Sequence, residues 1–183
     1  MYRFNLISPI ESEESVWSLQ QFLLKEAESL IGKKADDKIV FQPTFEDTGP
    51  FIRNRPCGDG AWAVLSLNAK DYWPTTLYEL AHETIHLLNP VRGSTNYLEE
   101  GIAVAFSIHM SKKYAIDPMY PTDIHYQKSL KLVHELPDGI YKSAKKIRNK
   151  CGSLGNATVE DLMKLFPKTN LESLNELCTI FSC

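Results

Sequence analysis

The sequence predicts an α+β fold in which a small N-terminal mixed sheet is followed by a helical C-terminal half. Short segments rich in β-forming residues occur only in the first part of the chain. From Pro74 onward, apolar residues recur at helical spacing and helix-capping residues precede them. Because strands and helices are segregated along the chain, the pattern favours α+β over an alternating α/β fold.

Length and composition indicate an ordinary globular protein. The chain has 183 residues, enough for one compact domain with a hydrophobic core, and we expect a single domain over residues 1–183. The net charge of -3 gives no general attraction to anionic surfaces. We therefore expect neither nucleic acid nor a membrane as a partner, and the sequence leaves the oligomeric state open.

Neither a membrane segment nor a signal peptide is visible. Apolar residues form no run near the roughly 20 that span a bilayer, and the N-terminus lacks the apolar core of a signal peptide. We expect a cytoplasmic location, with export by a route without a signal peptide left open. The four cysteines contain no CxxC pair, which favours free thiols over a cysteine zinc site, although one disulfide stays an alternative.

The first predicted helix begins near Ser8. Ser8 and Glu11 match a capping box, with Pro9 at the first helical position. We expect this helix to run to about Lys34. Its inner stripe is expected to contain Val16, Leu19, Phe22, Leu23, Leu30 and Ile31.

Two segments are predicted to be strands, Lys38–Gln42 and Ala61–Leu67, because both are short and rich in β-formers. Tyr2–Leu6 is a candidate third strand. The segment Pro43–Gly60 contains three prolines and three glycines and is predicted to be a loop.

The later part of the chain is predicted to be helical. Thr76–Glu79 matches a capping box and Asn89-Pro90 marks the end of the helix that follows. Asn96 is expected to cap a helix from Tyr97 to about Lys113, with Glu99 as its box partner. Further helices are expected near 124–135, 140–150, 159–166 and 170–182, the last two starting at Thr158–Asp161 and Thr169–Glu172.

The residues that point to chemistry are His82, Glu83 and His86, which form an HExxH motif inside a predicted helix. Residues four apart lie on the same helix face, so both imidazoles can reach one metal ion. Glu83 is one position round the helix, where its carboxylate can accept a proton from a water molecule at the metal. The alternative is two exposed histidines on a solvated helix face.

A third ligand is needed, because two histidines hold zinc poorly. The extended motif HExxHxxGxxH requires glycine and histidine at positions that Asn89 and Arg92 occupy, so that class is excluded. The segment Tyr97–Ala103 resembles instead the W-L-x-E-G-x-A segment of gluzincin metallopeptidases of the aminopeptidase-like branch. In those enzymes the glutamate before the glycine is the third zinc ligand, and Glu100 holds that position here, with Glu99 as its competitor.

This resemblance implies a zincin-like fold with a metal-binding helix pair. It also implies one zinc ion (Zn2+) per chain, bound by His82, His86 and Glu100. The implied function is a zinc-dependent hydrolase, a peptidase with Glu83 as general base and a peptide or protein as substrate. Val104 stands where the thermolysin branch has an aspartate, so the residues that orient the histidines are not identified.

Two further expectations follow from the resemblance. The strand at 61–67 is expected at the edge of the sheet, where an extended substrate could pair with it; the alternative is a plain core strand. His125 and Tyr126 are candidate donors to the oxyanion of the reaction intermediate.

Two other functions stay open. The first is a non-catalytic zinc-containing domain that binds a peptide or protein, although such a domain has no use for Glu83. The second is a nucleic-acid-associated factor that uses the basic cluster at 142–150, composed of Lys142, Lys145, Lys146, Arg148 and Lys150.

Overall fold

A computed structural model describes residues 3–91 and 93–182 of the chain. These residues form two compact units. The first contains the chain as far as Glu28, the segment from Lys33 that carries the strands and the HExxH helix, and Phe106–Tyr120. The second contains Ser29–Gly32, Gly93–Ala105 and the chain from Pro121 onward. The expectation of a single domain stays a prediction.

The first long helix, α1, spans Glu13–Ile31. A short 3-10 turn, Pro9–Glu11, precedes it, and the Ser8 hydroxyl donates to the Glu11 carboxylate at 2.8 Å. The helix therefore begins later than the capping-box pattern predicted, and it ends before Gly32, whose φ is 98°. Four residues of the predicted inner stripe are buried, while Phe22 and Leu30 are only half-buried.

Four strands form one mixed sheet. They are β1 (Ile39–Val40), β2 (Thr44–Glu46), β3 (Phe51–Asn54) and β4 (Gly60–Ser66). Strand β4 pairs in parallel with β1 and β2 and antiparallel with β3. The mixed N-terminal sheet is thus confirmed. Residues 3–6 form no strand, and Tyr2 lies outside the described residues.

Strand β4 is central, so the prediction that it lies at the edge of the sheet is wrong. Ala61 pairs with Val40 of β1 on one side and with Asn54 of β3 on the other. The error comes from the predicted loop at 43–60, which contains both β2 and β3. Its prolines precede or follow these strands rather than interrupting them, a position that strands tolerate. A central strand offers no free edge to an extended peptide.

The HExxH motif lies in α2, which spans Trp73–Leu87 and packs against β4. This helix begins before the predicted capping box, and Pro74 falls in its first turn, where no amide hydrogen is needed. The Thr76 hydroxyl donates instead to the carbonyl of Ala69 at 2.6 Å. The predicted apolar face of α2 is buried as expected: Leu77, Leu80, Ala81, Ile85 and Leu88.

The next helix, α3, spans Tyr97–Tyr114 and contributes residues to both units. The amide of Glu99 donates to Asn96 Oδ1 at 2.8 Å, which confirms Asn96 as the cap. Four more helices complete the second unit: α4 (Ile124–His134), α5 (Ile140–Cys151), α6 (Val159–Leu165) and α7 (Leu171–Cys178). Their positions confirm the predicted helical C-terminal half.

Three ends of the last two helices can be compared with the sequence-based prediction. The capping box of Thr158 and Asp161 is present at the start of α6. At α7, Asn170 rather than Thr169 is the cap, since its side chain accepts from the Glu172 amide. Helix α7 ends at Cys178 rather than near 182, because the residues that follow pair with the chain just before α3.

The remaining general expectations concern membranes and thiols. Within 3–91 and 93–182, no helix is both long and apolar enough to cross a membrane. Cys57, Cys151 and Cys178 are free thiols. Cys183 lies outside the described residues.

Candidate metal centre

Helix α2 places His82 and His86 one turn apart on the same face. Both side chains are buried, with exposed fractions of 8% and 6%. Their Nε2 atoms are 3.3 Å apart. Two imidazole nitrogens at this distance need a positive centre between them, because facing lone pairs repel each other. Either one ring donates its proton to the other, or both rings bind the same cation.

Helix α3 supplies the third member of the group. Glu100 lies in the first turn of α3 and is buried. One ligand atom each from His82, His86 and Glu100 can be chosen so that all three lie within 4.8 Å of one another. Among the described residues this is the group that can bind a metal ion.

The separation of the two histidine nitrogens fits a tetrahedral ion. Donors bound at about 2.0–2.1 Å with tetrahedral angles are about 3.3–3.4 Å apart. The observed 3.3 Å between His82 Nε2 and His86 Nε2 falls in this range. The distance between the two nitrogens is therefore compatible with one ion bound by both histidines.

The adjacent acid Glu83 is also buried, with an exposed fraction of 3%. It follows His82 directly in α2, so its side chain leaves the helix about 100° away from that of His82. Glu83 is not one of the three clustered ligands. Its role as a general base stays a prediction.

The competitor Glu99 is placed differently from Glu100. Glu99 is buried too, but it is not in the clustered group. Its carboxylate lies against Gly155, where an added Cβ would come within 2.7 Å of Glu99 Oε2. The structure therefore brings Glu100, and not Glu99, together with the two histidines.

Sequence reasoning missed Thr95. Its hydroxyl donates to Glu100 Oε1 at 2.5 Å. Thr95 lies just before the cap of α3, and no motif spacing marks it. The only signal for Thr95 in the sequence is a hydroxyl residue shortly before the helix that carries Glu100.

A second missed neighbour is Glu79, one turn before His82 in α2. Its carboxylate accepts from both the amide and the hydroxyl of Ser66, at 2.8 and 2.6 Å. Burial raises the pKa of Glu79, while the bonds from Ser66 and the charge of His82 act in the opposite direction. Glu79 ties the end of β4 to α2 and adds a carboxylate near His82.

The two proposed oxyanion donors lie beside the start of α3. The Oη of Tyr97 and Nδ1 of His125 are 3.3 Å apart. The ring of Tyr126 packs against Phe181, with centroids 5.1 Å apart. No contact tests an oxyanion role, which stays a prediction for both residues.

The basic cluster of α5 is smaller than the sequence suggested. Arg148 is buried and donates to the carbonyls of Ile31 and Gly32, at 3.1 and 2.6 Å. Lys146 forms an ion pair with Asp138 at 2.6 Å. Arg148 therefore does not belong to an exposed basic face, which weakens the case for nucleic-acid binding.

The described residues bring together two imidazoles and one carboxylate, all buried, that could hold a metal ion. No protein-family model, no curated protein and no solved structure matches this chain.

Proposed function

We propose that the protein is a zinc-dependent peptidase of the gluzincin type with a zincin-like fold. His82, His86 and Glu100 hold the metal, and Glu83 is the general base. The observation that carries the proposal is the 3.3 Å separation of two buried histidine nitrogens in an HExxH helix, clustered with a buried glutamate.

The donor set favours zinc among the common metals. Two imidazoles and one carboxylate suit zinc, whereas calcium and magnesium prefer oxygen ligands alone. Three protein ligands are also typical of catalytic zinc sites, since structural sites generally use four. When bound, zinc would polarise a substrate carbonyl and lower the pKa of a coordinated water molecule.

The protein's own residues then move the protons. Glu83 accepts a proton from the attacking water and later donates it to the leaving amine, as one base can serve both steps. Its burial favours this role, because a water-poor site strengthens electrostatic interactions with the reacting groups. We propose peptides or proteins as the substrate class.

The direct test replaces Glu83 with glutamine. Glu83→Gln should retain zinc, because the side chain is not a ligand and its size is almost unchanged. Cleavage of a peptide library should fall by about 10²–10⁴-fold, since a neutral amide cannot accept the proton. Zinc content and cleavage rate are measured on the same preparations.

Glu14→Gln is the matched control, because Glu14 is an exposed glutamate in α1. It should leave both zinc content and cleavage rate unchanged. Equal cleavage by wild type and Glu83→Gln would remove Glu83 as the base. If the wild type binds zinc yet binds no hydroxamate, the non-catalytic peptide-binding alternative replaces the enzyme, because a catalytic zinc keeps an open position.

A further inference from the structure

We propose that Thr95 orients Glu100 for metal binding, and that the C-terminal segment Thr179–Phe181 holds Thr95 in place. This inference rests on the proposed metal site and adds a positioning residue to it.

A short hydrogen bond joins Thr95 to Glu100. Thr95 Oγ1 donates to Glu100 Oε1 at 2.5 Å, a short distance typical of a bond to a charged acceptor. A carboxylate has about four acceptor positions, so this bond leaves room for a metal ion. The bond fixes the direction of the carboxylate plane, which otherwise rotates easily about its last torsion.

Thr95 is itself fixed by backbone pairing with the segment 179–181. The carbonyl of Thr95 accepts from the Phe181 amide at 2.9 Å, and the Tyr97 amide donates to the Thr179 carbonyl at 3.1 Å. Asn96 and Ile180 form the antiparallel bridge between these two bonds. The turn that leads into α3 is therefore paired like a short piece of sheet.

Ring packing and side-chain hydrogen bonds stabilise this pairing. The ring of Phe181 contacts the rings of Tyr97 and Tyr126, each with a centroid separation of 5.1 Å. Asn96 Nδ2 donates to the carbonyls of Leu154 and Gly155, at 3.3 and 3.4 Å. Two separate sets of contacts thus hold the residues next to Thr95 at the start of α3.

The consequence concerns metal affinity. A glutamate side chain loses rotamer freedom when it binds an ion, and this loss opposes binding. A hydrogen bond that already orders the carboxylate reduces the loss that remains. Removal of a residue that hydrogen-bonds to a metal ligand typically weakens metal binding by about 10–100-fold.

The test compares Thr95→Val with the wild type. Valine keeps the branched shape and removes the donor, so the zinc dissociation constant should rise by about 10–100-fold in competition with a chelator. Thr95→Ser restores the hydroxyl and should recover most of the wild-type affinity. Thr95→Ala provides the same comparison if the valine variant does not fold.

Thr158→Val is the matched control for a purely structural effect. It removes the capping hydroxyl of α6 and should lower the melting temperature of the metal-free protein, while zinc affinity stays unchanged. Wild-type affinity in Thr95→Val, or no recovery in Thr95→Ser, would overturn the role of Thr95 and leave the metal site intact. Absence of zinc binding by the wild type itself would overturn the metal site and this inference together.

Discussion

At the residue scale, two adjacent glutamates have separate environments. Side chains of neighbouring residues leave a helix about 100° apart, so Glu99 and Glu100 point in different directions. Glu100 clusters with the two histidines and accepts from Thr95. Glu99 lies against Gly155. This arrangement predicts that only one of the two glutamates is needed for metal binding.

Substitution of each glutamate tests this difference. Glu100→Ala removes a proposed ligand. It should weaken zinc binding by more than the roughly 100-fold typical of losing a residue that only hydrogen-bonds to a ligand. Glu99→Ala should retain about one zinc per chain. Zinc content after dialysis, measured by mass spectrometry, distinguishes the variants. Zinc retained by Glu100→Ala and lost by Glu99→Ala would transfer the ligand role to Glu99.

The sequence predicted some site residues and not others for a physical reason. His82, Glu83 and His86 are found by spacing, because a helix fixes which side chains share a face. Thr95 and the Ser66 partner of Glu79 are not found in this way. Their contacts depend on how loops and strands approach a helix, and a short hydroxyl side chain occurs in many loops.

At the scale of elements, the glycine after Glu100 has a packing role. Gly101 lies in α3 where this helix passes close to α4. A Cβ added at Gly101 would lie 2.4 Å from the carbonyl oxygen of Ser129 and 2.6 Å from Val133 Cγ1. The Glu-Gly pair therefore serves two purposes, since the glutamate clusters with the histidines and the glycine permits close helix packing.

Gly101→Ala should destabilise the protein despite the better helix propensity of alanine. Propensity favours alanine by about 1 kcal/mol, whereas overpacking against a backbone atom costs about 1–3 kcal/mol. We expect a net loss of up to about 2 kcal/mol in the free energy of unfolding, measured by urea denaturation. Lys112→Ala, at an exposed site of the same helix, should stay within about 0.5 kcal/mol. A more stable Gly101→Ala would contradict the close approach of α3 and α4.

The order of elements was more predictable than their ends. Periodicity located α2, which buries a continuous apolar face, and the cap at Asn96 located α3. The same rules missed β2 and β3, since prolines and glycines around them suggested a loop. Pairing with β4 stabilises these short strands, and such pairing between distant segments is not visible in local propensity.

At the scale of the whole molecule, the buried ionisable residues are concentrated in two segments. Among His, Asp, Glu, Lys and Arg of the described chain, six are buried, and five of them lie at 82–86 and 99–100. Proteins bury such groups when they are paired or bind metals, because removal from water is costly. This concentration is the broadest support for a metal centre, and composition alone could not have predicted it.

X-ray diffraction from crystals of the zinc-loaded protein, with anomalous data collected at the zinc absorption edge, tests the central claim most directly. We predict one anomalous peak per chain, about 2.0–2.2 Å from His82 Nε2, His86 Nε2 and a carboxylate oxygen of Glu100. The remaining position should not be occupied by a protein atom. A peak elsewhere, or a fourth protein ligand at this site, would contradict the proposed catalytic zinc.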